Sequence, residues 1–250
     1  MKANLKIVKQ LYHHHALEII SNNRGIEESF LKLLEEPIEL LKIKRRKKKI
    51  EIDGIKADEL NKELRRALEN RDIQDLKFEA FEEDGVFYFS ENKRKIAGFD
   101  FAIINDKNNL IRLRNLCYGR LQYADRNKRW AAFLKNNERL KPLAEEIIRI
   151  GEEGKDLEDD LEKVKPLIVG EIQFGNWGLV YRDFFKVLKA DIYNSIDCLI
   201  YIVPTGRLES LLSDGIVTYD GTEKIIKEFE KVLTVPIWLI GIDIEEQNNE

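Results

Sequence analysis

The spacing of apolar side chains along the first 70 residues is mainly helical. Residues 11–42 carry leucine, isoleucine and phenylalanine at roughly helical intervals, and the run Asn22–Gly25 interrupts them. Residues 58–70 repeat leucine at every fourth position, which places those leucines on one face of a helix. We therefore predict helical segments on both sides of the break and a further helix over 58–70.

The pattern changes to short aromatic runs between residues 77 and 104. Phenylalanine, which favours strands, recurs in the runs 77–81, 86–90 and 96–104. Asp84-Gly85 separates the first two runs and is a typical hairpin dipeptide. This part of the chain is therefore predicted to form three strands, the first two joined by a hairpin.

The segment 106–165 is mostly charged and is predicted to be helical. After it, apolar runs alternate with helical patterns, which favours an α/β fold with a mixed central sheet flanked by helices. The predicted order is an apolar run at 167–170, a helix at 177–189, a strand at 198–203, a helix at 222–233 and a strand at 236–242. We expect one domain over 1–250, with 106–165 as a helical insertion within it.

The composition is that of a globular protein with a real core. The chain has 250 residues, of which 43% are hydrophobic and 35% are charged. Two scattered cysteines, Cys117 and Cys198, are too few for a disulfide framework or a four-cysteine zinc site. They favour a reducing compartment, so we expect a cytoplasmic protein. Neither a membrane span nor a signal peptide is expected from the apolar pattern.

Two basic stretches stand out in a chain whose formal net charge is -4. Residues 42–49 read KIKRRKKK, with seven cationic positions in eight, and the first half of 106–165 is also basic. Such a stretch is either a solvated surface or a surface that contacts the phosphates of nucleic acid. The candidate phosphate contacts are Lys44, Arg45, Arg46, Arg126, Lys128 and Arg129.

The candidate chemistry lies where an apolar run ends in Glu171 and Gln173. Side chains alternate along a strand, so these two polar residues are expected on the same face. A carboxylate beside a buried run costs free energy unless it is paired, hydrogen-bonded or bound to a metal ion. Mg²⁺ prefers carboxylate oxygens, and it could polarise a scissile phosphate and activate a water molecule.

Asp100 is the candidate for a second carboxylate on another strand. It lies in the middle of an apolar run and is flanked on both sides by phenylalanine. The alternative is that Asp100 and Glu171 are acids at strand ends whose oxygens accept hydrogen bonds from backbone donors. The pair of acids, with the Glu-x-Gln spacing, keeps the metal-site interpretation open beside that alternative.

Four segments match a known arrangement of catalytic residues. They are Glu171-Ile-Gln-Phe-Gly-Asn-Trp177, Phe99-Asp100-Phe101, residues 12–20 and residues 235–241. Together they resemble the BglII/BstYI-like type II restriction endonucleases, a branch of the PD-(D/E)XK nucleases. The first segment is the most specific, because in this branch glutamine replaces the usual lysine of the Glu-x-Lys pattern.

The resemblance implies a PD-(D/E)XK core and a homodimer that cuts double-stranded DNA at a short palindrome with Mg²⁺. Asp100 and Glu171 would bind the metal ion, Gln173 would orient the attacking water, and Asn176 would contact DNA. Neither an organic cofactor nor a membrane partner is implied. The rival interpretation, which the glutamine permits, is a catalytically inactive protein of the same fold that binds DNA or another partner.

The chain departs from the family pattern in the separation of its two acids. In the family a short hairpin lies between them, whereas about 70 residues lie between Asp100 and Glu171 here, nearly all of them in 106–165. Asp156, Asp159 and Asp160 are nearer to Glu171 in sequence, but their surroundings are charged and helical. Asp100 is therefore preferred as the first metal ligand.

Overall fold

The computed structural model describes residues 2–32, 37–47, 50–71, 73–87, 98–121, 125–158, 165–193 and 195–246. These residues form two compact units. The first comprises Met1–Gln74, Gly170–Phe185 and Leu199–Glu250, and the second comprises Asp75–Val169 and Lys186–Cys198. Both contain strands and helices, so the predicted α/β class is confirmed. Across the described ranges, no helix combines the length and the apolarity that crossing a membrane requires.

Strands and helices follow one another along the described chain. Up to residue 69 the elements are β1 (Lys2–His13), α1 (Ala16–Asn22), α2 (Arg24–Lys32), β2 (Pro37–Glu39), β3 (Ile43–Lys47), β4 (Ile50–Gly54) and α3 (Ala57–Glu69). Between residues 76 and 150 they are β5 (Leu76–Ala80), β6 (Phe99–Ile103), α4 (Asp106–Tyr118), α5 (Arg126–Asn136) and α6 (Lys141–Ile150). The later elements are β7 (Ile168–Ile172), α7 (Leu179–Asp191), β8 (Cys198–Pro204), α8 (Gly206–Leu211), α9 (Tyr219–Glu228) and β9 (Ile237–Glu246).

The first unit is built on a mixed sheet with the strand order β2-β1-β9-β8. β1 pairs antiparallel with β2 and β9, in a register that sets Leu5 opposite Ile244, and β8 pairs parallel with β9. The chain just after β7 extends this sheet, because the Gln173 N–H donates to the Ile202 carbonyl of β8. All seven residues of β8 are buried, as expected for a parallel strand that is covered on both faces.

The N-terminal strand β1 contradicts the helical prediction for residues 11–13, and β2 contradicts it for 37–39. Ala3 and Leu5 are buried while Lys6 is exposed, so β1 alternates with a period of two. Long pairing with β9 holds the end of β1 extended, because tertiary pairing outweighs a local helical pattern. The predicted break is confirmed, since α1 ends at Asn22 and α2 begins at Arg24.

The second unit combines the antiparallel pair β5–β6 with three helices. Phe78 lies opposite Phe101, and the pair confirms the strands predicted at 77–81 and 96–104. α4, α5 and α6 confirm a helical character for the described part of 106–165, and they pack around an apolar cluster that includes Leu113 and Phe133. That these helices form an insertion into a single domain stays a prediction.

The turn at Asp84-Gly85 differs from the predicted hairpin. Residues Glu82–Asp84 form one turn of 3-10 helix, and Val86 and Phe87 are not in strand geometry. Residues 88–90 of the predicted strand lie outside the described residues. Gly85 has a φ of 120°, where a Cβ would also collide with the Asn109 side chain, so this turn requires glycine.

Candidate active site

Glu171 is a buried acid in the last part of β7. The strand Ile168–Ile172 is buried along its whole length, and Glu171 itself is only 4% exposed. Gln173, two residues further on, is 7% exposed. Apolar side chains drive the strand into the core and carry these two polar groups with them, so each needs a partner that offsets its desolvation.

Asp183 of α7 is the centre of a polar group beside these residues. Its side chain is completely buried. One carboxylate oxygen, Oδ2, accepts a hydrogen bond from Gln173 Nε2 at 2.7 Å and one from the Tyr201 hydroxyl at 3.1 Å. The other, Oδ1, accepts from Arg182 Nε at 3.1 Å and Nη2 at 2.9 Å. A carboxylate has about four acceptor positions, so these four donors saturate it.

The donors and acceptors around Gln173 fix the orientation of its amide. The Gly175 N–H donates to Gln173 Oε1 at 2.9 Å, and a backbone N–H can only donate. The Asp183 carboxylate can only accept, so the nitrogen of the amide must face Asp183. One hydrogen of Gln173 Nε2 remains after the bond to Asp183, and it is the group that Gln173 can offer to another oxygen.

The negative charge of Glu171 is one of the causes that raise the pKa of both Tyr201 and Arg182. Burial raises the pKa of Tyr201 well above its usual value, and the negative charges of Asp183 and Glu171 raise it further. Partial burial lowers the pKa of Arg182, but the hydrogen bonds and charge of Asp183, with the charge of Glu171, outweigh that effect and raise it. Tyr201 therefore keeps its proton and stays a hydrogen-bond donor. Glu171 and Gln173 thus both interact with the polar group around Asp183.

Asn176 lies in a tight turn between β7 and α7. Its Oδ1 accepts from the Gly178 N–H at 2.9 Å, and its backbone forms an isolated bridge with Ile216. Two further backbone bonds join the same loops, from Trp177 to the Gly215 carbonyl and from Val217 to the Gly175 carbonyl. The side chain of Asn176 is exposed on this fixed turn, as a group that contacts an outside ligand would be.

Asp100 lies in β6 of the second unit and is half-buried, while its neighbours in the strand, Phe99 and Phe101, are completely buried on the opposite face. Lys186 belongs to the same unit. Lys186 is buried and donates to the Gly98 carbonyl at 2.8 Å. Its ammonium also lies 4.3 Å from the centre of the Phe99 ring, so β6 holds it in place. The pairing of Asp100 with Glu171 stays a prediction.

Asp156, an alternative to Asp100 as the metal ligand, already forms hydrogen bonds with Arg120. Its carboxylate accepts from the Arg120 N–H at 3.0 Å and from Arg120 Nε at 3.1 Å, and these bonds, against the opposing effect of burial, lower its pKa. The other two rivals, Asp159 and Asp160, lie outside the described residues. Within those residues, no group of three or more histidine, cysteine, aspartate or glutamate side chains forms a metal-binding cluster.

Residues 43–47 of the basic run at 42–49 form the strand β3. In the β3–β4 hairpin Lys44 lies opposite Asp53 and forms an ion pair with it at 2.6 Å. Arg45 donates to the Ser210 carbonyl at 2.6 Å and lies 3.6 Å from Asp214, which anchors the hairpin to the end of α8. Arg46 follows in β3, with its backbone opposite Glu51.

The basic candidates in α5 differ in how far they face solvent. Lys128 is 83% exposed and forms a short-range ion pair with Asp125. Arg126 pairs with Glu153 at 2.7 Å and lies over the Tyr118 ring. Arg129 is mostly buried, 3.7 Å from Glu82. Lys128 is therefore the most accessible of the three for a phosphate.

Sequence reasoning missed Asp183 and Tyr201 as parts of the site. A usable signal existed in α7, where Val180, Asp183, Phe184 and Val187 recur at helical spacing and all four are buried. One acid on an otherwise apolar face is the same signal that drew attention to Asp100. Tyr201 in the middle of β8 gave a weaker signal, because buried tyrosines are common in strands.

The comparisons with known proteins bear on the family of the chain. A family model described as restriction endonuclease BglII/BglIII matches residues 8–242. One matching solved structure is the crystal structure of restriction endonuclease BglII complexed with a DNA 16-mer, with 13% identity and a TM-score of 0.47. That match covers 93% of this chain and 74% of the other chain. The search of curated proteins found no significant match.

The family match covers nearly the whole chain and defines its class as a type II site-specific deoxyribonuclease, a DNA-cleaving hydrolase. The chain belongs to the BglII/BglIII family of restriction endonucleases. The resemblance stated from the sequence is thereby confirmed, as is the enzyme class. Enzymes of this family use a divalent metal ion.

Proposed function

We propose that the chain is an Mg²⁺-dependent endonuclease that hydrolyses both strands of double-stranded DNA at a short palindromic site, as a cytoplasmic homodimer. The observation that carries this proposal is the buried pair Glu171 and Gln173, held beside the saturated Asp183 carboxylate. A buried glutamate at a strand end costs free energy that a bound cation would offset. Membership of the BglII/BglIII family supports the DNA chemistry.

Asp100 and Glu171 are the proposed ligands of Mg²⁺. Both offer carboxylate oxygens, and this cation is usually held by one or two carboxylates together with waters and substrate phosphates. Asp183 is not proposed as a ligand, because its oxygens already accept four hydrogen bonds. When bound, the ion supplies polarisation of the scissile phosphate and a lower pKa for a water molecule.

Gln173 is proposed to position the attacking water. A neutral amide cannot take the proton of that water, so its role is orientation and not general-base catalysis. The remaining Nε2 hydrogen can donate to one oxygen, and the bonds to Asp183 and Gly175 keep that hydrogen in a fixed direction. Asn176, exposed on its tight turn, is proposed to contact DNA.

The proposed phosphate contacts are Lys44, Arg45 and Arg46 of β3 and Arg126, Lys128 and Arg129 of α5. Each contact would release counterions and add affinity for any DNA sequence. Lys128 is the best placed of the α5 group because it is the most exposed. Arg45 is anchored at the end of α8, so it is proposed to act mainly by holding the hairpin in place.

A homodimer is proposed because a palindrome has two-fold symmetry, which two identical protein surfaces match. An exposed aromatic surface on the first unit supports a second copy as the partner. Trp177 and Phe185 of the α7 region are more than half exposed, and Tyr181 packs edge-to-face between Trp177 and Phe229. Sedimentation should give a dimer at micromolar concentration. A monomer both with and without DNA would count heavily against the proposal.

Incubation of the purified protein with bacteriophage DNA tests the function directly. MgCl₂ should yield discrete fragments, and EDTA should prevent cutting. Sequencing the fragment ends should reveal one short palindrome and the overhang. A mobility shift without cutting, with any divalent cation, would instead support a DNA-binding protein that lacks catalysis. Neither cutting nor a shift would refute the proposed function.

A further inference from the structure

We infer that Arg182 binds a phosphate of the substrate DNA next to Glu171, and that Asp183 is the positioning residue that holds its guanidinium in place. This inference rests on the proposed function and adds a substrate contact to it. Arg182 lies on α7, the helix that follows the strand with Glu171. Its guanidinium bonds to Asp183, which also accepts from Gln173.

The guanidinium of Arg182 is partly exposed to solvent and is hydrogen-bonded to Asp183 on one side. Its side chain is 56% exposed, while the Asp183 carboxylate that it contacts is completely buried. Nε and Nη2 both donate to Asp183 Oδ1, at 3.1 Å and 2.9 Å. These two bonds to a buried oxygen, which is shielded from water, restrain the position of the guanidinium beside Asp183.

Three N–H groups of Arg182 remain after these two bonds. A guanidinium carries five, and two are used on Asp183. Within the part of the chain that the structure describes, the other three have no hydrogen-bond partner. Both hydrogens of Nη1 and one of Nη2 form the end of the guanidinium that is turned away from Asp183, and this end matches two oxygens of a phosphate.

The position of this end relative to Glu171 identifies the ligand as a substrate phosphate. Gln173 lies two residues after Glu171, just beyond the end of β7, and it shares the Asp183 carboxylate with Arg182. Glu171 is also close enough to act on the charge of Arg182. One buried carboxylate therefore orients two groups around the proposed metal ligand, the Gln173 amide towards water and the Arg182 guanidinium towards phosphate.

The experiment uses the full chain and a fluorescein-labelled duplex that carries the cut site found by fragment sequencing. Binding is measured by anisotropy with Ca²⁺ in place of Mg²⁺, from about 50 to about 200 mM salt, and cleavage is measured in single turnovers with Mg²⁺. Arg182→Ala should slow cleavage by roughly 100-fold and lower the slope of log K against log salt by about 0.9. Arg66→Ala is the matched control, because Arg66 is an exposed helical arginine that pairs with Glu63 on its own helix. It should cleave and bind like the wild type.

Two conservative variants separate the phosphate contact from a structural role. Arg182→Lys should keep the salt slope but still slow cleavage by about tenfold, because an ammonium cannot reproduce the planar fork. Asp183→Asn should also keep the slope and slow cleavage, because the charge of Arg182 remains while its anchor is lost. Arg182→Ala removes the charged partner of the buried Asp183 carboxylate and should lower the melting temperature, whereas Arg182→Lys keeps a positive charge there. Binding and cleavage are therefore compared well below the melting temperature of every variant.

The outcomes also separate this inference from the proposed function. If the wild type cuts DNA and Arg182→Ala cuts at the same rate with an unchanged salt slope, the inference about Arg182 is refuted while the proposed function stands. If Arg182→Ala slows cleavage only in proportion to a fall in melting temperature, Arg182 has a structural role and the inference is equally refuted. A wild type that cuts with no divalent cation refutes the proposed function itself.

Discussion

Acidic and basic side chains form two different kinds of cluster in the two units of this chain. In the first unit, Asp183 is completely buried and accepts from Gln173, Tyr201 and Arg182, which lie on three different elements. In the second unit, the charged residues of α4–α6 form ion pairs mostly at the surface, such as Lys128 with Asp125. The same residue types thus occupy opposite environments.

The comparison shows that burial, and not the presence of an ion pair, decides what a charged residue does. An exposed pair contributes about 0–1 kcal/mol, since water solvates both partners when the pair breaks. When a buried carboxylate is removed, its former donors have neither a hydrogen-bond partner nor water, and this costs several kcal/mol. Breaking the network in the first unit should therefore cost much more stability than breaking the surface pairs of the second unit.

The largest expected effect is the loss of activity in Glu171→Ala. The variant should slow single-turnover cleavage by roughly 1,000-fold or more, because it removes a proposed metal ligand, while DNA affinity changes little. Glu245→Ala is the matched control, since Glu245 is an exposed acid that pairs with Lys6. Quantitative cleavage of a labelled duplex measures both, and near-normal cutting by Glu171→Ala would refute its assignment.

The next largest effect is a difference in the free energy of unfolding between variants of the buried cluster and variants of the exposed pairs. Asp183→Ala should lower the free energy of unfolding by about 3 kcal/mol, because the buried Tyr201 hydroxyl and Gln173 amide lose their acceptor. Glu153→Ala removes an exposed carboxylate that also lies 2.7 Å from its partner, Arg126, and should cost about 0.5 kcal/mol. Urea unfolding measures both variants. Equal losses would break the comparison between buried and exposed charges.

A smaller effect is expected in DNA affinity from the basic face of α5. Replacing Arg126, Lys128 and Arg129 together by alanine should weaken binding to all sequences and flatten the salt slope, without changing which site is cut. Lys128→Ala alone should account for most of this change, at about 0.9 of slope, because the other two are held by Glu153 and Glu82. Anisotropy titrations measure the slope. An unchanged slope in the triple variant would mean that α5 faces away from DNA.

The smallest effect is a pH dependence of stability in the second unit. Burial raises the pKa of Asp106, but the hydrogen bond from Arg139 and the charges of Lys77 and Arg139 outweigh it, so the pKa lies below its usual 3.8. A lowered pKa in the folded state means that the contribution is fully present above that usual value and is lost as the pH falls through the folded-state pKa. Asp106→Asn should therefore lose about 1 kcal/mol at neutral pH and nothing at strongly acidic pH. Thermal melts at pH 7 and near pH 2 measure the difference, and an equal loss at both would contradict it.

Several elements could be predicted from the sequence because their patterns are local. α3, the strands β5 and β6, and the later order of β7, α7, β8, α9 and β9 all follow from apolar periodicity. The Glu-x-Gln spacing at the end of β7 likewise led to the proposed chemistry, because alternation along a strand needs no tertiary information. The family follows from the same short segments.

Elements that depend on distant partners could not be predicted in this way. β1 has apolar residues at both strand and helix intervals, and pairing with β9, more than 200 residues away, selects the strand. Lys186 reads as a solvated lysine, yet the carbonyl of Gly98, 88 residues earlier, satisfies its ammonium in the core. In both cases the deciding partner is remote in sequence, so no local window contains it.

The sequence by itself determined that two polar residues, Glu171 and Gln173, lie at the end of an apolar strand, and it pointed to the family. Only the tertiary structure decided what surrounds them. Asp183 and Tyr201 lie 10 and 18 residues from their partners in the network, on α7 and β8, and both read as ordinary members of apolar segments. The physical reason is that hydrogen-bond saturation of a buried carboxylate depends on the packing of three elements against one another, and no single element specifies it.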